Sequence, residues 1–238
     1  MADLPVGPLV SNKEAAEPPH SALHGKYTSL VPLCPSHAPS LYKHLGGPEN
    51  FYRWTYMLTS GFPSLSDCQS DITDWSQDDS KDRLYYTVLS GPAADPSSEA
   101  VGMMCYLGVT PAHRRIEIGS VILSDALRQT RQATEAFYLL IRHAFELGYL
   151  RVEWKANRLN KPSLKAAERL GFVFEGVFRK HMVIKGRERD TAWFSITDGE
   201  WDESVRGGLE AWLAEENFEE AKQIKTLREC REAVRGVA

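Results

Sequence analysis

Residues 114–197 carry a pattern that few folds can satisfy. An alternating stretch, RRIEIGSVIL (114–123), is followed by an amphipathic helix and then by a second alternating stretch, LRVEWKAN (150–157). In the helix Phe137, Leu140, Ile141, Ala144 and Phe145 recur at helical spacing, and Gly148 closes it. Strand, helix and strand in that order form a crossover, which lays its two strands parallel in one sheet. The neighbouring signals are antiparallel. RLYYTVLSG (83–91) and EAVGMMCYLGV (99–109) read as strands joined by the turn-rich PAADPSS. PSLKAAERLGF (162–172) reads as a helix with Ser163 as N-cap and Gly171 as its terminal glycine. Residues 172–197 then read as a long strand, a turn around Lys185-Gly186-Arg187 and a returning strand. The sum is an α+β chain with a mixed, mostly antiparallel central sheet flanked by helices.

The flanks add elements of lower periodicity. GKYTSLVPL (25–33) alternates as a strand, and residues 35–46 form a helix with Ser36 as N-cap and Gly46 at its end. Residues 48–61 read as a second short helix, and 71–82 as an acidic helix end and loop. Residues 1–24 are rich in proline and small polar residues and read as an arm or disordered tail. From Asp198, which can cap it, the chain reads as helical to its end. Trp201, Val205, Leu209, Trp212 and Leu213 make one apolar face, which must be buried against the chain's own domain or a second subunit. We expect the former, hence a monomer rather than a dimer. Gly207-Gly208 should weaken this segment midway, leaving the part after Ala214 less well held. The division is therefore 1–24 arm, 25–197 main domain and 198–238 helical extension.

Composition narrows the functional classes. A net charge of -4 over 238 residues argues against a nucleic-acid binder, although Arg179, Lys180, Lys185, Arg187 and Arg189 cluster enough for a local anion site. The four cysteines are far apart with no CxxC pair, which reads as free thiols of a reducing compartment without zinc or a disulfide framework. The first residues lack the apolar run of a secretory signal, and no window has the apolar length of a membrane span. The expectation is a cytoplasmic protein without a membrane or metal partner. His20 and His24, in the arm, lack the further ligands a metal would need.

One stretch resists a purely structural explanation. RQTRQATEAF (128–137) puts Arg128 and Arg131 where a helix begins, at the end that already carries the positive half of the macrodipole. A bound anion would offset that cost, because the first N–H groups of a helix have no internal acceptor.

Several motifs agree in order and spacing: EIG on a strand (117–119), an Ala-Thr-Glu-Ala helix start (133–136), Asn160-x-x-Ser163 after the next strand, and a Leu-Gly-Phe helix exit (170–172) into a long hairpin. In these the chain resembles the GCN5-related N-acetyltransferases, the GNAT family, strongly over about residues 99–197 and more weakly from Gly25. It is most similar to the branch that acetylates N-terminal alanine or serine of ribosomal proteins. The resemblance implies the GNAT fold and acetyl-CoA as cosubstrate. It also implies a loop before the central helix that holds the coenzyme pyrophosphate, with the pattern Gln/Arg-x-x-Gly-x-Gly/Ala. Here that pattern reads Arg128-Gln129-Thr130-Arg131-Gln132-Ala133. Arg128 and Ala133 match it, and Arg131 replaces a glycine. Arg128, Arg131, Gln132, Ala133 and Thr134 are thus candidate cofactor contacts. Arg131 must adopt the glycine's conformation or shift the loop, and its side chain faces either phosphate or solvent.

Acyl transfer from a thioester needs a neutral amine, a donor for the developing oxyanion and a fate for the thiolate. The family meets the second need with a backbone N–H where two parallel strands splay, and Gly119-Ser120-Val121 interrupts the alternation at that place. A simple strand irregularity is the competing reading. Glu117, on the opposite face from Ile116 and Ile118, is the candidate base. Its competing reading is an ion pair with Arg115 or Lys155, and Glu153 is the weaker alternative base. Asn160 matches the family asparagine that bonds the pantetheine arm or the helix below it. Ser163 is a helix cap in any protein and, in this branch, a candidate proton donor to the sulfur. The tyrosine acid of many relatives is missing from that helix. Trp54, Tyr56, Trp154 and Trp193 are core residues or walls of an acceptor pocket. The reading is an acetyl-CoA-dependent N-acetyltransferase acting on a protein N-terminus or a small primary amine. The alternative is a non-catalytic acyl-CoA-binding or protein-interaction module on the same fold.

Overall fold

The computed structural model describes residues 4–236. Eight strands form one sheet in the order β1-β2-β3-β4-β5-β6-β8-β7. They are β1 (Leu23–His24), β2 (Ser29–Pro32), β3 (Arg83–Leu89), β4 (Ala100–Thr110), β5 (Arg115–Leu123), β6 (Arg151–Asn157), β7 (Val173–Ile184) and β8 (Arg187–Thr197). Every neighbouring pair is antiparallel except β5 and β6. These two are joined by α3 (Arg131–Glu146), so the crossover expected from the alternation is present.

Helices cover both faces. On one, α1 (Ala38–Leu45) and α2 (Leu65–Ser76) bury Leu41, Leu45, Cys68 and Ile72 against Tyr85, Met103 and Cys105. On the other, α3 and α4 (Lys161–Leu170) pack on Met104, Tyr106, Ile116, Ile118, Val152 and Trp154. Alternate residues of one strand thus feed two separate cores, as the period of two requires. Behind α3 lie α5 (Asp198–Glu200), a single π turn (Trp201–Val205) and α6 (Arg206–Leu213). The chain finishes with a small hairpin of β9 (Phe218–Glu219) and β10 (Lys222–Gln223), then α7 (Leu227–Arg235). No helix among the described residues is long and apolar enough to cross a membrane, and no group of three or more metal-ligand side chains occurs among them.

Several expectations need correction. The strand expected over 25–33 is two short strands around a turn, because Glu135 draws the N–H groups of Lys26, Tyr27 and Thr28 onto its carboxylate at 2.6–2.8 Å. Ser36 is not an N-cap. Pro35 opens a 3-10 turn (Pro35–His37) that runs straight into α1 with His37 at its start. Residues 48–61 form a 3-10 turn (Pro48–Trp54) rather than an α-helix. The arm is only partly free. Ala15 and Ala16 donate to the carbonyls of Pro111 and Leu147, and His20 bonds the Tyr85 carbonyl at 2.8 Å.

The extension packs on its own domain, as its apolar face demanded. Trp201, Val205, Leu209, Trp212 and Leu213 are buried, and Tyr138 of α3 donates to Glu210 at 2.9 Å. Thr197, not Asp198, caps it. Gly207-Gly208 does not interrupt α6. A Cβ at Gly208 would lie 2.3 Å from Arg231 Cγ and 3.0 Å from Arg231 Cα, so the glycine exists to let α7 approach. The part after Ala214 is correspondingly held, with Leu227 and Cys230 buried in α7.

Candidate active site

The parallel ladder between β5 and β6 runs from Arg115↔Arg151 to Glu117↔Glu153 and stops, although both strands continue. A bulge explains the parting. On β4, Cys105 faces Gly119 and Met103 faces Ile122, so β5 spends one extra residue there. Extra residues bend a strand and leave backbone groups unpaired. The left-handed residue is Ser120, with φ +49°, and not Gly119. Gly119 is needed for space, because a Cβ there would lie 2.6 Å from Leu107 Cδ1 and 3.3 Å from Glu117 Oε1. Arg53 fixes the far end of the opening. Its guanidinium, 7% exposed, donates to the Leu123 carbonyl at 3.2 Å and pairs with Asp125 at 2.5 Å.

The start of α3 faces the same opening. Thr130 is the N-cap and accepts from the Ala133 N–H at 3.1 Å. Among the described residues the N–H groups of Gln129, Arg131 and Gln132 have no acceptor. Such donors at a helix N-terminus suit a pyrophosphate. The side chains behave differently from the expectation. Arg131 is helical and unstrained, and the positive φ falls on Gln129, at +60°. The Arg131 guanidinium sits between two rings, 3.5 Å from the Phe218 centroid and 4.5 Å from that of Tyr27. It therefore braces the extension against the N-terminal loop, and only its backbone remains for phosphate. The Thr134 hydroxyl is likewise taken, by Arg169 at 3.1 Å. Arg128 is exposed and pairs with Asp125 at 3.3 Å, so it can turn to a phosphate without breaking a buried contact. Val121 is half-buried beside the bulge and Ala133 is buried in the first turn of α3.

At the end of β6, Asn160 rather than Ser163 caps α4, accepting from the Ser163 N–H at 3.3 Å. The Ser163 hydroxyl accepts from Trp154 Nε1 at 3.1 Å and keeps its own proton to give. Trp154 packs between Phe137 and Phe172, and is a core residue rather than an acceptor wall. Trp54 is also core, 2% exposed, with its indole donating to the Leu45 carbonyl. Tyr56 is half-buried beyond the 3-10 turn. Trp193 alone of the three tryptophans faces the charged side of the cleft.

That side is a ladder of charges on β5, β6 and β8. Lys155 donates to Glu117 at 2.6 Å, lies 3.0 Å from Glu153 and sits 4.2 Å from the Trp193 ring centroid. Arg151 bridges Glu153 at 2.9 Å and Glu175 at 2.6 Å, and Ser195 donates to Glu175. Burial pushes the Glu117 carboxyl above the usual carboxylate range. Lys155 pulls it back only in part, and the Glu153 charge adds to the rise. Burial also opposes the Glu153 charge, but there Arg151 and Lys155 together outweigh it and hold Glu153 low. Two adjacent carboxylates thus have opposite shifts, a pattern that acid–base sites share with structural ion-pair networks. The ion pair of Glu117 with Lys155, the competing reading to a base, is present, and Glu117 is the one of the two carboxyls that is held above its usual range. Sequence reasoning missed Arg53 and Glu135, whose partners lie about seventy and a hundred residues away and leave no local signal.

Similarity to known proteins agrees with this geometry. A family description reading "Acetyltransferase (GNAT) domain" matches residues 28–173. A solved structure of a GCN5-related N-acetyltransferase from Brucella melitensis is 35% identical, covers 92% of this chain and 98% of its own, and superposes with a TM-score of 0.86. One from Chromobacterium violaceum, described as "a probable acetyltransferases (GNAT family)", is 37% identical over 85% of this chain and 99% of its own, with a TM-score of 0.75. The Bacillus subtilis protein named "Putative ribosomal N-acetyltransferase YdaF" is 28% identical over 155 residues, 63% of this chain and 79% of its own.

Proposed function

The chain belongs to the GNAT family and is an acetyl-CoA-dependent N-acetyltransferase, and we propose that its acceptor is the free α-amino group of a polypeptide, acetylated where β5 and β6 part. The observation that carries the choice of acceptor is the edge strand. β7 closes the sheet on one side, and Val173, Phe174, Phe178, Met182 and Val183 are exposed along it. An unpaired strand edge with apolar side chains suits an extended peptide. The Phe178 and Trp193 rings meet at a tilt with centroids 4.7 Å apart, and the Trp193 ring also carries the Lys155 ammonium, so a peptide anchored at Phe178 reaches Glu117 by crossing the face of β8 and β6. The name of the Bacillus subtilis relative points to the same acceptor class.

In this reading each group has a task. Glu117 takes the proton of the incoming ammonium, directly or through a water, and Lys155 keeps the carboxylate aimed. An α-amino group, with a pKa of about 7.7–8.0, needs less help than a lysine at about 10.4. As the nitrogen–carbon bond forms, the thioester oxygen gains charge, which an N–H of the bulge at 119–121 stabilises. The carbon–sulfur bond breaks, and the sulfur leaves as thiol with a proton from Ser163 or water. The backbone N–H groups of Gln129, Arg131 and Gln132, with Arg128, hold the pyrophosphate, and Asn160 secures the helix beneath the pantetheine arm. Location in the cytoplasm and action as a monomer belong to the same proposal. Thiol release from acetyl-CoA, measured with peptides whose α-amine is free or blocked and with small amines, tests the acceptor. Turnover should require the free α-amine of a peptide. Turnover with small amines alone would refute the polypeptide acceptor.

A further inference from the structure

Strand β8 carries a guanidinium that acetyl transfer to a plain amine does not require. Arg189, Thr191 and Trp193 alternate onto one face of β8, and Trp193 shows that this is the face of Lys155 and Glu117. Arg189 Nε is closed off from solvent with no hydrogen-bond partner, and among the described residues no carboxylate forms an ion pair with its guanidinium. Every nearby acid is already committed. Glu117 is held by Lys155, Glu188 pairs with Lys180 at 2.9 Å, and Asp190 accepts from the Lys180 N–H at 2.8 Å on the other face of the strand. Neighbouring cations also have other tasks, since Lys185 donates to the Trp54 carbonyl at 2.8 Å and so ties the hairpin tip to the 3-10 turn. Arg189 is thus a half-buried cation on the face of the acceptor cleft with no ion-pair partner among the described residues, and Glu117 acts on it only through space. A desolvated charge without a partner is costly, and burial does draw Arg189 down from the usual guanidinium range while Glu117 works against that.

We propose that Arg189 recognises an anionic group, a carboxylate, carried by the acceptor near the amine that Glu117 deprotonates. The acceptor is then dipolar: its ammonium meets Glu117 and Lys155's carboxylate partners, and its carboxylate meets the planar fork of Arg189. This rests on the acetyltransfer site proposed above and adds a substrate class to it. Two sources supply the same chemistry. One is an acidic side chain in the first residues of a polypeptide, and the other is the carboxylate of a small amino acid.

The test compares matched acceptors with wild type and two variants, Arg189→Gln and Arg189→Glu. One set is peptides differing only at the second residue, glutamate, glutamine or lysine. The other is free amino acids and their amides. Wild type should favour the glutamate peptide over the lysine peptide by roughly 10–100-fold in kcat/KM, as for a hydrogen-bonded charge pair. Arg189→Gln should collapse that ratio toward one, and Arg189→Glu should reverse it. Arg189→Gln should melt no lower than wild type, because it removes an unpaired desolvated charge, and both variants should keep the stabilisation by coenzyme A, which separates lost recognition from lost folding. Equal turnover of all the peptides by wild type would overturn the anion site and leave the polypeptide acceptor standing. Turnover of amino acids but not of their amides or of peptides would support the anion site and refute the polypeptide acceptor. A preference for acidic acceptors that survives Arg189→Gln would overturn the role of Arg189, and no turnover with any acceptor would overturn both.

Discussion

The two faces of β5 and β6 are made from the same strands and do opposite work. Ile116, Ile118, Val152 and Trp154 point toward α3 and α4 and are at most 4% exposed. Arg115, Glu117, Arg151, Glu153 and Lys155 point the other way and form a ladder of charges. The apolar face holds the strands in place by burial, which is non-directional and additive. The charged face adds little to that. Desolvation of Glu117 outweighs its pairing with Lys155, so its charge is kept at a cost to stability. A strand of period two can therefore carry a core on one side and a reaction on the other, with each substitution affecting mainly one of them.

Exchanging Glu117 for glutamine should produce the largest effect. Glu117→Gln should lower kcat/KM by about 10²–10⁴ at neutral pH while the fold and coenzyme binding remain. The gap should narrow at high pH, where the free amine is abundant. Stability should respond with the opposite logic. Because the folded carboxyl is raised, Glu117 contributes stability below the ordinary glutamate pKa and loses it as pH rises through the raised value. Glu153 and Glu175 are held low, so they contribute above the ordinary pKa and lose it as pH falls. Melting curves between acid and neutral pH should show Glu117→Gln free of the loss on the rising side. A variant that unfolds, or that turns over like wild type, would break the division between the faces.

The apolar face predicts the converse. Trp154→Ala removes a side chain packed between Phe137 and Phe172 and should cost about 3–5 kcal/mol by denaturant titration. A loss of activity without a loss of stability would place Trp154 in the reaction instead. Gly208→Val should have a smaller effect, about 1–3 kcal/mol, because the new side chain meets the Arg231 backbone and pushes α7 from α6. An unchanged midpoint would show that the outer layer yields freely.

What could be read from the sequence follows the same division. The apolar side was legible because burial imposes a period: the crossover, the hairpin and the face of the extension all announce themselves by spacing. The interruption at Gly119-Ser120 was legible too, although spacing does not single out Ser120 as the left-handed residue. Asn160 and Ser163 both have capping side chains three residues apart, and local sequence does not rank them. Arg131 and Gly208 were misread for a different reason. A long side chain at a helix start can reach phosphate or an aromatic ring, and only the fold brings Tyr27 and Phe218 to it. A glycine pair reads as a breaker until the helix that needs the space, α7, is seen beside it.

A crystal structure with bound acetyl-CoA, or with coenzyme A and a peptide, is the most direct test that the splay of β5 and β6 is the site of transfer. The pyrophosphate should lie on the N–H groups of Gln129, Arg131 and Gln132, with Arg128 turned toward it and Arg131 still between Tyr27 and Phe218. The acetyl oxygen should sit about 2.7–3.1 Å from an N–H of residues 119–121, on the way to Glu117. A coenzyme bound elsewhere, or an acetyl group out of reach of both the bulge and Glu117, would contradict the account.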